Sequence, residues 1–373
     1  MQGEFVKNLF NKLDEIGILF AFDNLIKKNM SIPAIAEFSK KNNPNARELE
    51  GGYVLSNLKT LLAKAREGKY GVVAINQRSK YVVEATLEAA WQAKSPVICE
   101  VAESEAKYCN MWPERLSDLV HEGISKMYKK YGYYVPVCIH MDHVQKDLSI
   151  VDRAVKAGFS SVEVDLSKLS VEENGAKCAE IITKLHPLGV SVEVEEGEIG
   201  AADALADPNI DANIEKYYTK VEDAKRLCEL TSPDALAIFV GNGHGQYLKE
   251  PKIGFDRIRE IAEVVNPMGV QVVLHGGSGL AIEVFNKAID AGAAKVNYAT
   301  SISDILFVSL PESFIAEMDA KAKELNTARR KVLYLFEEKM DALDKAVLQG
   351  AVDAMAGHII MMMERGFRSK GRI

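Results

Sequence analysis

The stretch Val135-Pro136-Val137-Cys138-Ile139-His140-Met141-Asp142-His143 decides how this chain folds. An apolar run of strand length, 135–139, leads straight into two imidazoles that flank a carboxylate. Buried strands end on such groups where a parallel sheet delivers them into one cavity. In barrels and open α/β sheets the carboxyl ends of the strands are the place of chemistry.

The same rhythm recurs outward from this stretch, starting near residue 52. Apolar runs at 71–75, 96–101, 135–139, 161–165, 190–194, 235–240, 270–274 and 294–297 read as strands. Segments 82–93, 149–156, 171–185, 255–264 and 281–291 carry helical periodicity between them. Alternation of strand and helix predicts a parallel sheet, and eight repeats over some 250 residues favour a closed (β/α)8 TIM barrel over an open sheet.

The flanks break this pattern. In 1–50, Phe5, Leu9, Phe10 and Leu13 fall at helical spacing, and the polar break Lys40-Lys41-Asn42-Asn43-Pro44-Asn45 follows, which predicts an N-terminal helical appendage and a loop. Beyond Thr300, extra C-terminal helices are expected at 310–325, 329–340 and 343–365, ahead of a small basic tail. The expected partition is an extension at 1–50, a barrel catalytic domain at 51–310, and a helical segment with the tail at 311–373.

With 373 residues, 47% hydrophobic and 27% charged, the chain is long enough for a barrel-sized core. Its net charge of -7 disfavours a nucleic-acid or anionic-membrane surface, so no nucleic acid and no membrane partner is expected. Cysteines 99, 109, 138, 178 and 228 lack paired-ligand spacing and read as reduced core residues. No run of eighteen consecutive apolar residues and no signal-peptide pattern occurs, and a cytoplasmic location is expected.

Polar groups gather at the strand ends. Asn76 follows the first strand, and His140, Asp142 and His143 follow the third; Asp165 and Glu195 end the fourth and fifth. Gly243-His244-Gly245 follows the sixth, His275 ends the seventh and Asn297 the eighth. Three imidazoles from separate strands can hold a divalent ion at three corners of a tetrahedron, leaving the fourth for water or a substrate oxygen. His143, His244 and His275 are the chosen set. Singly, each would be more simply a hydrogen-bonded core or surface histidine, but all three recur at equivalent topological positions.

His140, one pleat inside its strand, fits a substrate-orienting or a structural role equally well. Asp142 lies between imidazoles; beside a dication it stays ionised and can take a proton from a hydroxyl. Asp165 and Glu195 each fit a partner to a ligand, an alternate ligand, or the end of an ion-pair network. His275-Gly276-Gly277-Ser278-Gly279 and Asn297-Tyr298-Ala299-Thr300-Ser301 can make an anion site, since glycines admit backbone N–H groups and a hydroxyl at a helix start adds a donor.

Taken in order, Leu62 to Tyr70, the His140-x-Asp142-His143 string, Val192-Glu193-Val194-Glu195 with Gly197, Gly243-His244-Gly245-x-Tyr247, His275 to Gly279 and Lys295-Val296-Asn297 resemble the class II, metal-dependent ketose-bisphosphate aldolases. The likeness runs from about Leu55 to about Thr300. It implies metal ligands at His143, His244 and His275, an acid/base at Asp142, and an accessory metal or catalytic role for Glu195. It also implies phosphate contacts from Gly245, Gly276, Ser278 and Thr300, with Asn76 and Asn297 against substrate. Ala102 stands where the family commonly has a phosphate-binding serine, and Ala299 where some fructose-bisphosphate enzymes have aspartate. On the loop after the fifth strand the family usually carries a glutamate that exchanges a carbon-bound proton; Asp203 is the candidate here, with a solvated loop residue as the alternative.

The implied reaction is reversible aldol cleavage of a phosphorylated ketose, such as fructose 1,6-bisphosphate, to dihydroxyacetone phosphate and an aldehyde. Zn2+ or another divalent transition metal is the implied cofactor, and a homo-oligomer is expected. Lys295 invites an imine mechanism, ranked lower because three histidines would then lack a purpose. A metal-dependent sugar-phosphate isomerase or epimerase would use similar ligands on a similar barrel. A non-catalytic subunit derived from an aldolase would fit Ala102 and Ala299, but the intact Asp142 and histidine set stand against it.

Overall fold

In the computed structural model, which describes residues 38–373, eight parallel strands close on themselves in sequence order. They are β1 (Val72–Asn76), β2 (Val97–Ala102), β3 (Val137–Val144), β4 (Ser161–Val164), β5 (Ser191–Glu196), β6 (Ala235–Ile238), β7 (Gln271–Leu274) and β8 (Ala293–Asn297), with β8 pairing back onto β1. The expected TIM barrel is the fold. Helices Lys80–Ala93, Ser149–Lys156, Val171–Leu185, Phe255–Val265 and Ile282–Ala291 lie between the strands. Local chemistry starts them: the Ser79 hydroxyl accepts the Val82 N–H, and Ser170 with Glu173 forms a capping box.

Alternation along each strand sorts its side chains. Val73 and Ile75, Ile139 and Met141, Val162 and Val164, and Val192 and Val194 face the helices. Inward, the lower half of the barrel is apolar: Val72, Ala74, Ile98, Cys138, Ala237 and Val273 pack together, with Leu58, Leu61 and Leu62 of the helix Leu58–Gly68 in the same cluster. The upper half is charged. Glu100, His140, Glu163, Glu193 and Lys295 are all fully buried there.

Two register shifts decide what reaches the top. Along β3, Met141 pairs with Val162 but Val144 with Val164, so the strand carries one extra residue, and His143 has a left-handed φ of +46°. Strict alternation would send His143 outward, because Asp142 already faces in. The bulge turns both into one cavity, and Glu163 Oε2 pins it by accepting the His143 backbone N–H at 2.8 Å. The second shift skips Ala294, and Lys295 thereby also faces inward.

The C-terminal segment differs in part from expectation. Helices Glu312–Glu324 and Lys345–Met361 form, but 329–340 is built of the turns Arg329–Lys331 and Leu333–Phe336 and the start of a short helix, Glu337–Asp341. The segment Lys345–Gly366 is long and apolar enough to cross a membrane by length and composition alone. Here it packs on the helix Lys80–Ala93, burying Ala351, Val352, Met355, Ala356 and Ile359. The basic tail folds onto the end of the barrel opposite the site, where the Gly371 N–H donates to Ala93 O at 2.9 Å and Arg372 lies over Tyr70. All five cysteines are free and buried. The polar break at 40–45 forms turns, while the expected N-terminal helical spacing falls in 1–37, outside the described residues.

Candidate active site

A cavity of about 500 Å³ opens at the carboxyl end of the barrel. Asn76, Asp142, His143, His244, Gly245, Gly276, Ser278, Asn297 and Thr300 all line it, so most of the residues singled out from sequence meet in one place. His275 and Glu195 stand just beneath, fully buried.

The imidazoles converge. His143 Nε2 lies 3.1 Å from His244 Nε2 and 2.8 Å from His275 Nδ1. The outer nitrogens fix the tautomers: His143 Nδ1 faces Asp165 Oδ2 at 3.0 Å and His275 Nε2 faces Glu193 Oε1 at 2.9 Å. Each outer nitrogen therefore carries a hydrogen, and the inner ones are left to share a proton or hold a metal ion.

The field agrees. Burial lowers the pKa of His143, but Glu163, Asp142, Asp165 and Glu195 outweigh it and raise the group well above its ordinary value. His244 is pushed down to about 3 by burial and by His143 and His275. Glu195 adds an orphan: its Oε2 is buried without a hydrogen-bond partner, 3.6 Å from His275 Nδ1, while Oε1 accepts from Ser167. Burial and the neighbouring Asp165 push Glu195 up to about 8. A divalent ion fits this donor set, with three inward imidazole nitrogens, an uncommitted carboxylate oxygen and carboxylates behind two of the rings.

Asp142 is held on both oxygens. Asn76 Nδ2 donates to Oδ2 at 3.3 Å and Asn297 Nδ2 to Oδ1 at 3.0 Å. Burial would raise its pKa, but His143, His275, Lys295 and His140 hold the carboxyl well below its usual range, so it stands ready as a base. Asn297 Oδ1 is buried with no partner in the fold, an acceptor left over for a ligand.

The two loops expected to make an anion site close the far side. Gly276 has φ +68°, and a Cβ there would run into the Gly243 backbone, so only glycine lets the two loops approach. Ser278 Oγ accepts the N–H groups of Ala299 and Ser301 at 3.0 and 3.3 Å. With both lone pairs engaged, its own O–H is the donor left for the cavity. Thr300 opens the helix Thr300–Val308.

Two candidates stand apart from this constellation. Asp203 is exposed and caps the turn Ala204–Ala206, accepting the Ala204 N–H at 2.9 Å; it lines an adjoining cavity of about 430 Å³ with His244, Gly245 and Thr300. Lys295 lies below the site with Nζ 2.8 Å from Glu193 and 3.5 Å from Glu100. Burial would lower its pKa, but Glu193, Glu100 and Asp142 raise it, so the amine an imine needs is held as ammonium. His140 is sealed beside it, Nδ1 on Ser161 Oγ at 2.9 Å and Nε2 3.4 Å from Lys295, contacts that fit the structural alternative.

Several lining or supporting residues escaped the sequence reading. Glu163 and Glu193 alternate with valines in strands buried on both faces, and charges at such positions were the available signal. Arg78, Glu105, Arg330 and Lys331 also line the cavity, without any spacing that marks them.

A family model described as fructose-bisphosphate aldolase class-II matches residues 56–368. The chain is 37% identical over 248 residues to a fructose-bisphosphate aldolase of Ureaplasma parvum serovar 3, spanning 66% of this chain and 79% of that protein. It is 34% identical over 251 residues to the fructose-bisphosphate aldolase of Staphylococcus aureus strain Mu50, spanning 66% and 81%. Among solved structures, the YdjI aldolase from Escherichia coli K12 matches with a TM-score of 0.64 at 25% identity, over 85% of this chain and 99% of that one. A Campylobacter jejuni fructose-bisphosphate aldolase shares the fold, with a TM-score of 0.60 at 24% identity over 83% and 93%. With barrel, imidazole cluster and glycine-bearing loops already in place, the chain belongs to the class II fructose-bisphosphate aldolase family and is an aldolase, a carbon–carbon lyase.

Proposed function

We propose that the protein catalyses reversible aldol cleavage of a phosphorylated ketose of the fructose 1,6-bisphosphate type to dihydroxyacetone phosphate and an aldehyde. The observation that carries this is the convergence of ligand nitrogens of His143, His244 and His275 within 4.8 Å of one another, one residue from Asp142 and in the cavity of the anion loops. Members of the family depend on a divalent metal. Zn2+ is the choice for three imidazoles, with Glu195 as accessory ligand. Such an ion supplies Lewis-acid stabilisation of the charge left on a substrate oxygen when the carbon bond breaks.

Asp142 takes the proton of the hydroxyl on the aldehyde-side carbon, so that the O–H pair becomes the new carbonyl bond as the carbon–carbon bond opens. Asn76 and Asn297 hold it at the required angle and touch substrate. Ser278, Thr300 and the backbone at Gly245 and Gly276 bind the phosphate. Asp203, carried in by its loop, returns a proton to the carbon of the dihydroxyacetone phosphate half. The chain works as a catalytic barrel at 51–310 walled in part by 311–373. The free, buried cysteines support a cytoplasmic location, and a homo-oligomer acting in carbohydrate metabolism is part of the proposal.

Family membership disfavours the isomerase and non-catalytic readings. The test is triose-phosphate release from a panel of phosphorylated ketoses, with the protein as purified, chelated, and reloaded with zinc. Cleavage lost on chelation and restored by zinc is expected; no cleavage of any ketose by the zinc-loaded protein defeats the proposal.

A further inference from the structure

A chain of hydrogen bonds leads away from Asp142 through Asn76. Asn76 Nδ2, which donates to Asp142, also donates to Glu105 Oε2 at 2.9 Å. Glu105 Oε1 in turn accepts from Arg78 Nε at 2.7 Å and lies 2.6 Å from Nη2. Arg78 Nη1 donates to Ser303 Oγ at 3.1 Å. Ser303 sits in the first turn of the helix Thr300–Val308, whose opening residue belongs to the anion loop. Asn76, Glu105 and Arg78 are all buried.

Physical chemistry gives each link a task. An asparagine amide can turn over and present Oδ1 where Nδ2 was, and a lone carboxylate would oppose that flip only weakly. Here two carboxylates, Asp142 and Glu105, face the same Nδ2, so the flipped amide would set its oxygen against both. Glu105 cannot swing aside, because the Arg78 fork grips one of its oxygens and the Tyr108 hydroxyl donates to the same oxygen at 3.2 Å. Burying an ion pair where apolar residues would pack as well is a poor route to stability, which points to a role in the site.

We propose that Glu105, seated by Arg78, is a positioning residue for Asp142. It locks the Asn76 amide so that the Asp142 carboxylate keeps its free lone pairs toward the substrate hydroxyl, and it ties that orientation to the helix at which phosphate binds. This rests on the aldolase reading above.

The experiment is steady-state ketose-bisphosphate cleavage by the zinc-loaded full chain, with zinc content and Tm measured on every variant. Glu105→Gln should lower kcat by about 10–100-fold, leave KM within about 3-fold, and leave zinc content unchanged. Glu105→Asp, which keeps the charge, should recover part of the loss. Because Glu105→Gln strands the Arg78 charge, the double variant Arg78→Met/Glu105→Leu removes both charges; it should fold with a near-native Tm and still show the kcat defect. Asn76→Ala combined with Glu105→Gln should be no slower than Asn76→Ala alone, since Glu105 acts through Asn76. Native kcat in Arg78→Met/Glu105→Leu, or losses that multiply in the Asn76 double variant, overturn the inference. Wild-type protein that cleaves no ketose in the same assay defeats the aldolase reading instead.

Discussion

Replacing Lys295 with methionine would expose the charge balance beneath the site. The ammonium lies 2.8 and 3.1 Å from the two Glu193 oxygens and 3.5 Å from Glu100, with all three residues fully buried. At such separations opposite unit charges attract by about 5 kcal/mol at an effective dielectric near 20. Methionine keeps the bulk and removes the charge, so Glu193 and Glu100 lose their cation. Breaking a buried pair from one side costs about 3–5 kcal/mol. For a chain of this length that lowers Tm by about 4–6 °C. A second loss follows through the metal centre: Glu193 orients His275 from 2.9 Å, and once protonated it accepts that bond only weakly, which should weaken zinc binding about 10–100-fold. Guanidinium unfolding of the metal-free protein and a zinc competition titration read the two effects separately. Lys295→Met combined with Glu193→Gln should recover much of the stability but not the zinc affinity. A single variant as stable as wild type, or borohydride trapping of dihydroxyacetone phosphate on Lys295, would refute the picture of a sealed counter-ion.

Four further expectations follow from the site and its scaffold. Asp142→Asn should cut kcat by about 10²–10⁴-fold while zinc content holds, and retained turnover would remove the acid/base assignment. His244→Ala should abolish zinc retention on dialysis, measured by metal analysis; full occupancy would take His244 out of the ligand set. Asp203→Asn should slow solvent exchange of the carbon-bound proton of dihydroxyacetone phosphate by about tenfold or more, and unchanged exchange would leave Asp203 as a turn cap. His121, buried in the helix Pro113–Tyr131 with Nδ1 2.7 Å from Ser117 O, is pushed down to about 4 by burial. Between its ordinary value of about 6.5 and about 4 the unfolded chain takes up a proton that the fold refuses, so stability is lost as pH falls through that window, by up to about 3 kcal/mol. His121→Asn should flatten that limb in urea titrations from pH 7 to 4, and an unchanged slope would contradict it.

The barrel was legible because each strand writes a short apolar run and each helix a 3.6-residue pattern, and strand-end histidines stand out against such runs. The candidate anion loops were proposed for a local reason too, since glycines and a hydroxyl before a helix have meaning within five residues. What could not be read is set by register and by distance in the chain. Nothing around His143 announces that β3 carries an extra residue; alternation alone sends that side chain outward. Glu163 is visible as a charge in a buried strand, but its bond to the His143 N–H exists only once β3 and β4 are side by side. Arg78 comes from the loop after β1 and Glu105 from the short helix Glu103–Tyr108 after β2, and they share no periodicity. In 329–340, Leu333 and Phe336 are buried three residues apart, a spacing that tight turns satisfy as well as a helix does, and turns are what form.

The bulge at His143 turns two consecutive residues, the proposed base and one proposed ligand, into the same cavity. Their Cα atoms are therefore about 3.8 Å apart by covalent geometry, whatever the rest of the barrel does. His244 and His275 arrive from other strands and move with them, whereas Asp142 and His143 travel as one body. Thermal widening of the barrel mouth thus slackens the grip on the ion before it separates ion from base. On heating, the enzyme should lose occupancy first, and at saturating metal its bond-breaking geometry should persist almost to the unfolding transition.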